Sequence, residues 1–292
     1  MVIPKSFGTH DGVFHADEVT ACALLLYYQL IEKEKIIRTR EKKLLDRCEF
    51  VCDVGGEYNL TQKRFDHHQL SYQGDMSSAG MVWAYLKKEG IISESIYHFL
   101  NNTLIIGVDA HDNGKVLSEP GVCTFSQIIS NFTPIRYDVS AEELNKAFHE
   151  AVTFVLGYIT RAISRFMYGQ ECKEKVRLAM AKNKVVLFFD ESMPWIDSFF
   201  ELGGEEHPAQ FVVMPSGTQW KVRGIPPLTT DRMKVRTPLP KEWAGLLDDE
   251  FKRVSGINGA VFCHKGRFIS VWKTKEDALQ ALDYILAKGA DK

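Results

Sequence analysis

Arg64-Phe65-Asp66-His67-His68 is the stretch on which the reading of this chain turns. Two others belong beside it: Gly8-Thr9-His10-Asp11-Gly12-Val13-Phe14-His15-Ala16-Asp17-Glu18, and Asp53. Together they place His10, His15, Asp17, Asp53, Asp66, His67 and His68 in the first quarter of a chain of 292 residues. Imidazole and carboxylate groups are the ligand set of a divalent transition metal, and this many exceed what one ion takes. They read as the two halves of a two-metal site that hydrolyses a phosphoester. Two cations about 3.5–4 Å apart supply a nucleophile at neutral pH and stabilise charge on the transferring phosphoryl group. Asp53 stands alone at the end of an apolar run and precedes Gly55-Gly56, which suits a carboxylate shared by both ions. The glycines let the backbone turn away without crowding the site. Histidine ligands favour manganese, iron, cobalt or zinc over magnesium.

Each residue has a plainer reading when taken singly. His10, His15, His67 and His68 would pass as surface or capping histidines. Asp17 and Glu18 would pass as first-turn acids favoured by a helix dipole. The conjunction selects the metal. Asp109-Ala110-His111-Asp112-Asn113-Gly114 is a weaker signal, because Asp-Asn-Gly is ordinary turn chemistry. A binuclear site needs one more carboxylate, however, with Asp109 the first choice and Asp112 the alternative.

Working outward, residues 1–135 read as alternating strands and helices, a pattern that points to a parallel sheet. Strands are expected at residues 2–8, 36–40 and 50–54, with helices at 17–33 and, after Ser77-Ser78, to about 89. Residues 104–108 suit either a strand or a buried helix. Ligands in parallel sheets gather where strands end, and His10 and Asp53 both fall there. Ser140-Ala-Glu-Glu143 is a capping box opening a long helix to about residue 183, with a break expected near Gly169. Its stripe of Leu144, Phe148, Ala151, Val155, Ile159, Ala162 and Phe166 suits a domain spacer, a homodimer interface or a plain core helix. Residues 184–292 alternate hairpins and helices and read as a smaller α+β domain. The expected architecture is therefore α/β: a catalytic domain over 1–138, a connecting helix over 139–183 and a substrate domain over 184–292.

Composition narrows the function further. With 45% hydrophobic and 25% charged residues the chain is ordinary for a globular protein. A net charge of -2 argues against a broad basic track for duplex nucleic acid, so any such contact should be local. The six cysteines lack disulfide-like spacing and read as buried free thiols of a reducing compartment. No signal-like leader and no membrane-length apolar run are found, so a cytoplasmic location is expected.

At these same residues the sequence resembles the DHH phosphoesterase superfamily, which includes RecJ-type exonucleases and family II pyrophosphatases. It is more closely similar to the family named for the melanocyte proliferating gene protein. That family's motifs stand here in order at residues 8–18, 53–58, 64–69 and 112–114. The likeness continues through Arg236-Thr-Pro-Leu-Pro240, Trp243, Gly245-Leu246 and residues 255–264. Departures fall at Asn59, Phe65 and Arg267, where Asp, Tyr and Gly are usual. The resemblance implies one ion held by His10, His15 and Asp53, and a second by Asp17, Asp53, His67 and Asp109. It implies that Asp66 orients the histidine pair while His68 serves the scissile phosphate as a catalytic group. Arg236, His264, Gly256 and Gly259 would grip substrate from the second domain. The implied activity is manganese-supported exonucleolytic cleavage of RNA or a short oligonucleotide. The rivals are hydrolysis of a dinucleotide or pyrophosphate, and a non-catalytic metal- or nucleotide-binding regulator.

Overall fold

The computed structural model describes residues 1–116, 119–136 and 138–290. The chain forms two compact units, Met1–Phe166 and Met167–Lys292. In the first, β1 (Ile3–Thr9), β2 (Ile36–Arg38), β3 (Cys48–Cys52), β4 (Tyr58–Asn59) and β5 (Arg64–Phe65) form one sheet in the order β2-β1-β3-β5-β4. The β2-β1-β3-β5 ladder is parallel, and β4 closes the edge antiparallel to β5. The short β4–β5 hairpin has too few residues for alternation to be visible, so the sequence pattern carries no sign of it.

Helices α1 (Ala16–Tyr27), α2 (Lys42–Leu45), α3 (Ser78–Lys88), α4 (Glu94–Leu100), α5 (Ile106–Asp112) and α6 (Phe125–Ser130) complete this part of the chain. Helix α1 is shorter than its apolar pattern suggests. It ends at Tyr27, and its residues from Ala16 to Leu25 are all buried. The ambiguous 104–108 segment is helical: a π turn over Asn101–Ile105 runs directly into α5. Phe7, Phe50 and Phe65 are among the aromatic residues of the core, with Tyr85 of α3 edge-on to Phe50 and Phe65. Five cysteines are buried free thiols, and Cys123 is exposed.

Helix α7 runs without interruption from Ala141 to Lys182, so the break expected at Gly169 does not occur. A glycine inside a helix costs about 1 kcal/mol relative to alanine, less than the packing of the surrounding turns contributes. Phe148, Ala151, Val155 and Ile159 pack into the first unit's core, while Cys172, Val176 and Ala179 pack into a cluster of the second. The boundary between the two units falls within this helix.

The second unit holds β6 (Val186–Phe188), α8 (Ile196–Glu201), β7 (Phe211–Ser216), β8 (Gln219–Gly224), α9 (Asp248–Ser255), β9 (Ala260–Cys263), β10 (Ile269–Trp272) and α10 (Lys275–Ala290). Its sheet runs β6-β7-β8-β10-β9, parallel only between β6 and β7. Where one helix is expected over 242–253, a 3-10 turn at Lys241–Trp243 precedes α9. None of the described helices is long and apolar enough to cross a membrane.

Candidate metal centre

Three neighbouring parallel strands end on the same side of the first sheet. The residue after β1 is His10, the one after β3 is Asp53, and the one after β5 is Asp66. This is where a parallel sheet presents ligands. Asp53 adopts a left-handed backbone with φ 57°. Asp and Asn tolerate that region better than other residues, and strain of this kind gathers at functional sites. Its N–H still donates to Phe65 O at 3.0 Å, which ties the strained residue to β5. Helix α1 begins just after His15, whose N–H donates to both Glu18 carboxylate oxygens at 2.9 and 3.1 Å. Asp17 and Glu18 in the first turn are fully buried.

The Asp53 carboxylate lies at the middle of this arrangement. Its Oδ2 is 3.2 Å from His10 Nε2, and its Oδ1 is 3.5 Å from His67 Nε2 and 3.4 Å from His68 Nδ1. His10 Nε2 is also 3.1 Å from Glu18 Oε1, and His67 Nε2 is 3.0 Å from Asp112 Oδ2. Three overlapping sets result: His10, His15, Glu18 and Asp53; Asp53, His67 and His68; and His15, Asp17 and Asp112. Within each set the ligand atoms lie within 4.8 Å of one another.

Electrostatics test whether these groups suit a cation. His10 Nδ1 sits 2.9 Å from Asp11 O. In the neutral ring that carbonyl takes the N–H, leaving the Nε2 lone pair facing two carboxylates, an arrangement that needs a positive charge between them. Burial opposes charge on His10 most strongly, but Asp53 and then Glu18 outweigh it and raise its pKa to about 10. His67 is likewise raised to about 10, by Asp112 first and Asp53 second. Burial pushes Asp53 upward, yet His10 and His67 more than offset this and hold it at about 2. Asp17 is pushed well above its usual range by burial and by Asp53, Glu18 and Asp112 around it. Asp17 Oδ1, Asp53 Oδ1 and His67 Nε2 are buried without a hydrogen-bond partner. Their close neighbours are near in distance but not aligned as donors and acceptors. Uncompensated buried charge of this kind costs several kcal/mol per group, roughly, unless a counter-ion is present. Nitrogen and oxygen donors, buried and convergent, fit a divalent transition metal.

Not every expected ligand is brought to this place. Asp109 is engaged elsewhere. Its Oδ1 accepts from Ser77 N at 3.0 Å, Ser77 Oγ at 2.6 Å and Gly80 N at 3.0 Å, so it anchors the start of α3. It belongs to none of the three sets; Asp112, one turn on, faces His67 instead. Glu18, a first-turn acid by sequence, also shares the His10 set. Its complete burial is invisible in sequence, although it closes the first motif. Asp66 orients His68 alone: its Oδ1 takes His68 Nδ1 at 2.8 Å and His68 N at 3.1 Å, and its Oδ2 takes Gly56 N at 2.6 Å. His68 is largely exposed and lines a cavity of about 540 Å³ with His15, His67, His111, Asp112 and Asn113.

Arg38, at the end of β2, carries no signal in the sequence. Its Nη2 donates to Gly12 O at 2.6 Å and its Nη1 to Asn145 Oδ1 at 3.0 Å. The guanidinium lies 5.6 Å from the Phe14 ring and 4.7 Å from the Phe148 ring. It fixes the loop between His10 and His15 against α7.

The second unit's candidates have mostly local explanations. Arg236 is engaged by backbone: Nη1 donates to His207 O and Ala209 O, and Nη2 to Gly204 O and Glu205 O. Its terminal nitrogens staple a loop and are not free for a phosphate. Gly256 ends α9 with φ 72°, a conformation that favours glycine. At Gly259 a Cβ would come within 1.8 Å of Asp277 Oδ2 in the first turn of α10. His264 is half-buried at the end of β9, and its Nδ1 accepts from Gly266 N at 3.0 Å. Arg267, where the resembling family carries glycine, has φ 55°, which accounts for the usual residue.

A parallel-sheet domain with a convergent His/Asp/Glu centre at its strand ends defines a class of metal-site α/β proteins. The family model MYG1_exonuc, described as an uncharacterised protein family (UPF0160), matches residues 6–284. A "MYG1 protein" of Chlamydia trachomatis is 50% identical over 286 residues, 98% of each chain. A "MYG1 exonuclease" of Rattus norvegicus is 28% identical over 330 residues, covering 99% of this chain and 86% of the relative. The chain belongs to the MYG1 family. Among solved structures, RecJ from Thermus thermophilus in complex with Mn2+ matches 97% of this chain and 52% of its own at 13% identity. The TM-score of that match is 0.29, too slight a likeness to bear on the site.

Proposed function

We propose that this protein is a metal-dependent phosphodiesterase that removes nucleotides from the end of RNA or of a short oligonucleotide. The observation that carries the reading is Asp53, whose two oxygens face separate histidine groups across a buried centre. Its place supports a carboxylate shared by two divalent ions. His10, His15 and Glu18 would complete one ligand set with Asp53. The other would draw on His67, which faces both Asp53 and Asp112, and on Asp17, which groups with Asp112 and His15. Manganese suits this nitrogen-rich donor set, with magnesium, cobalt, iron and zinc as the alternatives to be compared. When bound, the ions supply a nucleophile at neutral pH and offset charge on the phosphoryl group.

The chain's own residues do the rest. Asp66 holds His68 through Nδ1, leaving Nε2 to exchange a proton with the leaving oxygen. The burial of Asp17, Glu18 and Asp53 keeps bulk water from screening their charges. The cavity beside His68 is of the size that holds a small molecule, which suits one strand end and not a continuous duplex. The exonuclease name carried by the rat relative supports the same reading.

That cavity size also favours a second reading, hydrolysis of a dinucleotide. Manganese-loaded protein should be incubated in parallel with end-labelled single-stranded RNA, a dinucleotide and pyrophosphate. Stepwise release of mononucleotides from the RNA is expected. Turnover of the dinucleotide alone would select the second reading, and turnover of none would reject both.

A further inference from the structure

The second unit's sheet is covered unevenly. On one face, Val222, Ser270, Trp272, Ala260 and Cys263 are buried toward α9 and α10. On the other, the α7 and α8 side chains pack with Leu187 of β6 and Val212 and Met214 of β7. That second face continues across β8, β10 and β9 through half-buried residues. The register pairs Lys221 with Val271, Arg223 with Ile269, and Val271 with Phe262, so these side chains share one surface.

Two features of this strip call for a partner. Among the described residues, neither Lys221 nor Arg223 has a carboxylate within ion-pair distance. Arg223 Nε is buried without an acceptor, and its Nη2 reaches only Arg232 O at 3.3 Å. The second feature is a run of rings. Arg223 lies 5.9 Å from the Phe268 ring, Phe268 is 4.3 Å from His264, and His264 is 6.1 Å from Phe262. Unpaired cations beside aromatic faces on a half-buried sheet surface match what a single strand offers: a phosphate every nucleotide and flat bases between.

We propose that the strip formed by Lys221 and Arg223 of β8, Phe262 of β9 and Phe268, just before β10, binds a segment of single-stranded nucleic acid. The cations would take successive phosphates and the rings would take bases. This deepens the nuclease reading and rests on it for the identity of the strand. It would also answer how a chain with net charge -2 holds a polyanion, since the contact is local.

The test uses the full chain, labelled single-stranded RNA and excess chelator, so that binding is read without cleavage. Lys221→Gln/Arg223→Gln should weaken binding at least about ten-fold. It should also flatten the log–log salt dependence by about 1.4, the value for two lost single-strand phosphate contacts. Phe268→Ala should weaken binding with the salt slope unchanged. Turnover of bis(4-nitrophenyl) phosphate by the manganese-loaded variants should match that of the parent chain, which separates this surface from the metal centre. An unchanged affinity and slope in the double variant, both variants melting as the parent does, would overturn the proposal. So would equal affinity for a poly-glutamate of the same charge, which would reassign the strip to acidic polypeptides. If the parent chain binds RNA but cleaves neither RNA nor the diester, the nuclease reading fails and the strip stands.

Discussion

Asp53 is a buried charged side chain and Arg236 a partly buried one, and the difference between them separates the two units. Arg236 meets four backbone carbonyls of residues 204–209, so its terminal donors are satisfied by that loop. Asp53 keeps one oxygen with no hydrogen-bond partner, although three histidine rings stand within 3.5 Å of its carboxylate. A buried polar group is normally satisfied, so one that is not, at the end of a parallel strand, marks a place for a ligand. Residue type alone would have ranked the two alike. The contrast can be broken at several points.

The largest effect is expected at Asp53. Asp53→Asn keeps the size of the side chain and suits the left-handed backbone, since Asn also tolerates φ above zero. Only the charge is removed. Turnover should fall by about 10³-fold or more, as for loss of an electrostatic clamp, and elemental analysis should find fewer ions bound. Retention of near-parent turnover would dismiss the shared-carboxylate role.

Next come the two acids of α5, which the structure separates. Asp112→Asn should weaken metal binding beyond the roughly 10–100-fold typical of losing an outer-shell partner. It should leave the unfolding midpoint of the metal-free chain nearly unchanged. Asp109→Ala should do the reverse. It leaves three donors at the start of α3 unsatisfied, costing about 1–3 kcal/mol in denaturant titration, with metal affinity kept. The opposite pattern in metal titrations would restore Asp109 as the ligand.

Arg38 should give a smaller loss. It touches no ligand, but it holds the Gly12 carbonyl of the loop that carries His10 and His15. Arg38→Ala should lower metal affinity by roughly 10-fold, in the range of outer-shell partners. Isothermal titration with Mn2+ would measure it, and an affinity equal to the parent's would reduce Arg38 to a packing residue.

Much of the first unit is legible because its chemistry coincides with its strand ends. His10 and Asp53 follow segments that read as strands, and His67-His68 announces itself by composition. What stays hidden depends on phase and on distant carbonyls. Asp109 and Asp112 are three residues apart on one helix, so periodicity places both near the same face. Only the position of Ser77 and Gly80 reveals which one is occupied. Glu18 looks like a capping acid and is one, through His15 N, while also facing His10. The continuous α7 is obscured by Gly169, whose small local cost says nothing about packing on either side. The role of Arg236 could not be read, because its acceptors lie 27 to 32 positions earlier.

Arg236 therefore supplies the mildest test for function and the sharpest for the contrast. Had it gripped substrate, Arg236→Ala would raise KM while leaving metal binding alone. The carbonyls of Gly204, Glu205, His207 and Ala209 argue for a structural effect instead. Charge-assisted hydrogen bonds contribute about 1.5–3 kcal/mol each when both partners are withdrawn from water. Arg236 is only partly buried, and water can replace some of these contacts, so the net cost should be nearer about 1–3 kcal/mol. The loss should appear in the unfolding transition of the second unit, with KM and kcat of the folded enzyme within about two-fold of the parent. Arg236→Lys should recover only part of the stability, because an ammonium cannot reproduce the planar fork that reaches four carbonyls. A several-fold rise in KM at unchanged stability would return Arg236 to the substrate and erase the contrast with Asp53.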